Sequence, residues 1–288
     1  MVTRRALLAA MAGAMAAGRA LPAGGATAPR IAAIDWAMAE SAMALGHPPL
    51  AVAELKGLRR VSASLPPETI IDLGLRGAPN LEALSLSAPD LILSSSYYSF
   101  IQPQLERIAP VLSQALYVPG EDPLPKLTAV LPELAEALDD PGAASPVLTE
   151  AEDTFDGLAG RLAGQDRPFL LMEVGDARHV RIFGGDSLYG GALYRLGRVN
   201  AWTEGTQFAF NAPVPMERLA GFPEAVLVIV GEVPVQARRS LERGVLWNRL
   251  APVVRGDVLQ LPEINAFGGL PSALRFGAEL ALAAEGRG

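Results

Sequence analysis

Residues 143–162 read AASPVLTEAEDTFDGLAGRL, a long run of good helix formers with no strand signal. On both sides of it the chain alternates short apolar runs with helix-period stretches. Before it, strands are expected at 30–35, 50–52, 70–73, 91–93 and 115–118, and helices at 37–45, 80–86, 102–108 and 126–138. The first of these helices stops at Gly46, with Pro48 and Pro49 beyond. After it, strands are expected at 169–174, 180–183, 225–230 and 258–261, and helices near 188–196, 215–219, 246–250 and 270–284. Strand–helix alternation builds a sheet covered by helices on both faces. The fold class is therefore α/β: an N-terminal lobe over 29–142, a connecting helix within 143–166 and a C-terminal lobe over 167–288.

Two α/β lobes joined by one element leave a cleft, and ligands bind where strand ends meet such a cleft. No G-x-G-x-x-G follows the first strand and no Gly-rich loop ends in Gly-Lys-Ser/Thr, so nucleotide binding has no support. Residues 1–28 combine Arg4-Arg5-Ala6-Leu7-Leu8, an apolar Ala/Met/Gly segment and a small-residue end at Ala26-Thr27-Ala28. These are the parts of an export signal, and the paired arginines point to the twin-arginine route. Its removal leaves 21 basic against 31 acidic residues, a balance that repels nucleic acid and anionic lipid. With no cysteine, thiol chemistry and lipid attachment at a signal-proximal Cys are unavailable, and with two separated histidines a zinc site is not expected. The composition describes a soluble periplasmic protein with no resident cofactor.

Gly185-Asp186-Ser187-Leu188 spells the motif of a serine hydrolase family, which makes an exported esterase using Ser187 a competing reading from another class. A serine needs a general base, and that family's histidine lies downstream. Here His47 and His179 both precede Ser187. The better reading is a Gly-rich turn in which Asp186 or Ser187 caps a helix.

Taken in order, several stretches resemble the ferric hydroxamate siderophore-binding periplasmic proteins, the ferrichrome-binding type within the metal-chelate and vitamin B12 group of transporter-linked binding proteins. They are Arg30-Ile-Ala-Ala-Ile-Asp-Trp36 with Ala44-Leu-Gly46, Ile71-Asp-Leu-Gly-Leu-Arg-Gly-Ala-Pro-Asn80, Arg107-Ile-Ala-Pro110, Ile182-Phe-Gly-Gly-Asp-Ser-Leu188, Asn200-Ala-Trp202, Leu246-Trp247 and Gly256. The resemblance implies the helical-backbone periplasmic binding protein fold, no enzymatic activity, and iron arriving as a ferric siderophore complex. It also implies two partners, that siderophore and an inner-membrane ABC permease, for a protein acting as a monomer. A vitamin B12 or haem binder on the same fold is the nearest alternative.

By the same resemblance, Arg76 and Tyr98 contact the iron–hydroxamate centre, with Tyr97 an alternative one register away and Trp36 beside them. A guanidinium fork and a phenol are apt donors to hydroxamate oxygens. Departures from the family's aromatic pocket place Arg60, Phe208, Ala209, Phe210, Asn265 and Phe267 where tryptophans, a tyrosine or their neighbours stand. Arg60 would suit a more anionic ligand, and Asn265 one with more hydrogen-bonding groups. Permease docking falls to Glu217 on the second lobe, and to Glu106 as a substitute on the first, where Pro103 holds the matching position.

Overall fold

A computed structural model describes residues 28–206 and 210–286, so the export signal before Ala28 and Phe208 lie outside the described residues. In the first half, β1 (Ile31–Ala33), β2 (Ala51–Val52), β3 (Ile71–Asp72), β4 (Leu91–Ser95) and β5 (Val111–Gln114) form an all-parallel sheet in the order β3-β2-β1-β4-β5. Parallel strands need crossovers. They are α1 (Trp36–Ala44), α2 (Leu55–Val61), α3 (Leu81–Leu86) and the short α4 (Gln102–Leu105). The helices α5 (Leu124–Ala137) and α6 (Ala144–Arg161) then lead to the second half.

The second sheet runs β10-β9-β6-β7-β8 and is mixed. Strand β6 (Phe169–Val174) is parallel to β9 (Val226–Val230), and β9 to β10 (Val258–Leu261). Strands β7 (His179–Phe183) and β8 (Asn211–Pro215) complete an antiparallel edge. Between them and after lie α7 (Leu188–Arg195), α8 (Val235–Arg243), α9 (Val245–Arg249), α10 (Ala251–Arg255) and the terminal α11 (Leu270–Glu285).

Three expectations need correction. The fifth strand is 111–114 rather than 115–118, the segment at 216–221 is 3-10 rather than α-helical, and β8 carries no strand signal that sequence reading recognised. Two prolines in β8 explain that last miss, since Pro cannot donate to a ladder and is confined to edges, which is where β8 lies.

Helix α6 buries a single stripe, Ala144, Ala151, Phe155 and Leu158, spaced as neighbours on one helical face. It packs on α5 and α11, and α11 also touches α1, α7 and β10. Close approach is set by Gly277, where a Cβ would stand 3.2 Å from Leu158 and 3.4 Å from Leu196. The largest apolar cluster accordingly runs through both halves, from Ile31, Met38 and Leu127 through Phe155 to Phe169, Tyr189 and Phe276. The outer sheet faces carry separate clusters, one around Ile34, Leu73 and Tyr98 and the other around Met172, Trp202 and Ile229.

A buried carboxylate also crosses between the halves. Glu40 of α1 is 1% exposed and accepts from Asn265 Nδ2 at 2.9 Å, Gly269 N at 2.8 Å and Ser272 Oγ at 2.7 Å. It thereby supplies an acceptor to the N–H at the start of α11. Burial pushes its carboxyl above the usual range.

Candidate functional site

The carboxyl ends of the strands of both halves face one cavity of about 600 Å³. Trp36 follows β1, Glu54 follows β2, and Gly74 to Arg76 follow β3 on one wall; Glu173 of β6 and Glu263 to Phe267 after β10 form the other. Two larger hollows lie elsewhere, an apolar groove against Leu124, Phe155 and Tyr194 and a depression around Trp247 and Gln260. The interlobe cavity differs from them in being lined by strand ends of both halves.

Arg76 is placed by its loop. Gly74 takes φ +73°, a left-handed conformation open to glycine at no steric cost, while its N–H donates to Asp72 Oδ1 at 2.9 Å and its carbonyl accepts from Glu54 N at 2.6 Å. Asn80 closes the loop, donating its N–H to Leu73 O at 2.7 Å while its side chain caps α3 by accepting from Ala83 N. The Arg76 guanidinium stacks over the Trp36 ring at 3.8 Å and donates from Nε to Glu54 Oε2 at 2.7 Å. Such stacking contributes about 0.5–2 kcal/mol depending on desolvation. Among the described residues no acceptor takes its Nη hydrogens.

Trp36 is itself fixed. Its indole donates to Ala53 O at 2.8 Å, and Gly57 of α2 lies so near that a Cβ there would stand 2.7 Å from the ring. Asp35 caps α1 through Met38 N and accepts from Ser95 Oγ at 2.8 Å. Burial raises its pKa, opposed by those hydrogen bonds and by Arg76.

Sequence reading grouped more residues here than the structure brings together. Trp36, Arg60, Arg76, Asn265 and Phe267 line the cavity. Tyr97 and Tyr98 do not, and they are unequally exposed: Tyr97 is 77% exposed, whereas Tyr98 is 5% exposed and packs on the outer face of the first sheet. Burial pushes the Tyr98 hydroxyl up, Arg76 being the one positive influence against it.

Asn265 is committed to structure, donating to Glu40 and accepting from Phe267 N at 3.1 Å. Arg60 is likewise engaged, Nη2 donating to Glu263 Oε1 at 3.0 Å. Phe210 packs with Tyr117 and Phe267 in a triad with ring centroids 5.4–5.9 Å apart, an aromatic patch beside the cleft. Tyr117 also donates to Gly268 O at 2.6 Å and, with Glu54, Glu173 and Glu263, was missed by sequence reading.

Ser187 is 2% exposed, caps α7 by accepting from Gly190 N and donates to Gly184 O at 2.7 Å. Both functions of the hydroxyl are consumed, and the histidines pair elsewhere, His47 with Asp140 and His179 with Asp176. Glu217 and Glu106 are both exposed on the outer surface, Glu106 accepting from Gln102 at 2.8 Å.

A family model described as periplasmic binding protein matches residues 31–248. The iron(3+)-hydroxamate-binding protein FhuD of Escherichia coli K12 is 31% identical over 249 residues, 86% of this chain and 84% of that protein. Among solved structures, the siderophore-binding protein FhuD of Vibrio cholerae with bound Fe3+-Desferal superposes with a TM-score of 0.82 at 19% identity, covering 89% of this chain and 98% of that one. The petrobactin-binding protein YclQ of Bacillus subtilis gives 0.74 at 16% identity, covering 90% and 93%.

Proposed function

The chain belongs to the periplasmic binding protein family, whose members are solute binders and not enzymes, and from that premise we propose that its solute is a ferric hydroxamate siderophore. The observation that carries the reading is Arg76, stacked on Trp36 and held by Glu54, with hydrogens left for a ligand. A ferric trihydroxamate is already fully coordinated, so it asks the protein for donors to its oxygens and aromatic surface for its linkers. Arg76 supplies the first; Trp36, Phe267 and Phe210 supply the second. Ferrichrome-type chelates fit it, and the relative that binds iron(3+)-hydroxamate supports it.

The proposal extends to delivery. The twin-arginine signal within 1–28 sends the folded protein to the periplasm, and the exposed Glu217 and Glu106 dock it on an ABC permease of the inner membrane. No helix among the described residues is long and apolar enough to cross a membrane.

Quenching of tryptophan fluorescence tests the solute, since Trp36 lines the site. Saturable quenching by ferrichrome or ferrioxamine at micromolar concentration or below, weakened about tenfold or more by Arg76→Ala, is expected. Quenching by haem or cobalamin alone would overturn it.

A further inference from the structure

The cleft lining carries two guanidinium groups, and neither is unpaired. Arg76 donates to Glu54. Arg60, in the last turn of α2, meets Glu263, two residues past β10, through Nε to Oε2 and Nη2 to Oε1, both at 3.0 Å. The first pair lies within one wall; the second spans the cleft from one half to the other. Its side chains are 70% and 42% exposed, so the pair is weak and a ligand can part it. The other charges on the lining are Lys56, Asp72 and Glu173. Asp72 accepts from backbone N–H groups of Leu55 and Gly74, and Glu173 pairs with Arg181 at 2.9 Å.

We propose that the Arg60–Glu263 pair is a charge filter, so that the cleft takes uncharged and cationic ferric chelates and turns away anionic ones. The inference rests on the hydroxamate reading above and names the charge class within it. An anionic arm competes with Glu263 for Arg60 and meets both that carboxylate and Glu173 on the same wall. At this exposure parting the pair costs little, and the like charge of the two carboxylates sets the preference. The two carboxylates already sense each other, since Glu263 adds to the burial that raises Glu173. A cationic arm meets the opposite situation, because Glu263 can share its two oxygens between Arg60 and an incoming ammonium. The net charge of −7 adds a field of the same sign at the cleft.

The pair makes the two single neutralisations act in opposite directions. Glu263→Gln releases Arg60 toward the ligand, whereas Arg60→Gln releases Glu263. The probes are the ferric complex of a linear trihydroxamate ending in a free amine, its N-acetyl form and its N-succinyl form. These present a positive, a neutral and a negative arm on one unchanged iron centre. Affinities are measured by calorimetry at low ionic strength, where screening is least.

For the wild type, the succinyl form is expected to bind about threefold to tenfold more weakly than the amine. The ratio of anion to cation affinity should rise in Glu263→Gln and fall in Arg60→Gln, with the acetyl form nearly constant throughout. A ratio that moves the same way in both variants, or in neither, overturns the filter while leaving the hydroxamate reading intact. Failure of all three probes to bind the wild type overturns that reading and the filter with it.

Discussion

At the residue scale, the site depends on small groups that let large ones fit. Gly57 is the plainest case, because any side chain there collides with the Trp36 ring that supports Arg76. Gly57→Ala is expected to cost about 1–3 kcal/mol through overpacking and to weaken ligand binding as Trp36 shifts. A denaturant midpoint and an affinity both equal to wild type would contradict this. Ser187→Ala should behave differently, losing about 1 kcal/mol with the helix cap while leaving ligand affinity unchanged. A loss of affinity without loss of stability would return Ser187 to the functional residues.

Legibility at this scale followed sequence distance. Arg76 and Trp36 were readable because the stretches that carry them, 71–80 and 30–36, resemble those of the siderophore-binding family, and the structure puts both beyond strand ends. The state of Arg60 was not readable, since its partner Glu263 lies 203 residues away. Tyr97 and Tyr98 looked alike in sequence and differ in exposure because one 3-10 turn aims adjacent side chains in different directions.

At the element scale, α1 and α11 are joined through Glu40, and the join titrates. Burial raises the folded-state pKa of Glu40 from its ordinary 4.5. The folded protein therefore retains a proton that the unfolded chain releases. The corresponding stability is full below about 4.5 and is lost as pH rises toward the folded value. Glu40→Gln removes this titration. The stability gap between wild type and variant is thus expected to narrow or reverse as pH rises from 4 to 8, followed by thermal melts. Parallel curves would show that Glu40 does not titrate in that range.

Asp257 acts with the opposite sign, held at about 2 by hydrogen bonds from Arg167 and Arg255. Its contribution is present above the ordinary 3.8 and is lost as pH falls through about 2. Asp257→Asn should therefore lower the melting temperature at neutral pH and lose that effect near pH 2. An undiminished difference there would count against the pairing.

Elements themselves were legible where apolar periodicity was strong. Strands β6 and β10 fall where they were expected, and the long helix at Ala144–Arg161 lies within the stretch that fixed the architecture. The fifth strand was displaced because 115–118 is the more apolar run, while Val111–Gln114 mixes polar residues into a strand at the sheet's edge.

At the scale of the molecule, one apolar core runs through both halves, and α11 binds α1, α6 and α7 together. Wide opening would expose that core to water at about 25 cal/mol per Å². Ligand binding should therefore proceed with small adjustments across the cleft and not a large hinge. The radius of gyration from solution scattering should be unchanged on saturation with a ferric hydroxamate. A clear contraction would require an open state that this core forbids.

In the proposed complex a hydroxamate-bound metal sits between Arg76, Trp36 and Phe267. The direct measurement is heteronuclear NMR of the protein titrated with a gallium(III) trihydroxamate, a diamagnetic stand-in for the ferric complex. Saturable shifts are expected at Arg76 Nε–H, the Trp36 indole N–H and the backbone of 263–267, with the Trp247 indole and the groove at Phe155 and Tyr194 silent. Shifts gathered at that groove, or around Trp247, with the cleft unmoved would contradict it.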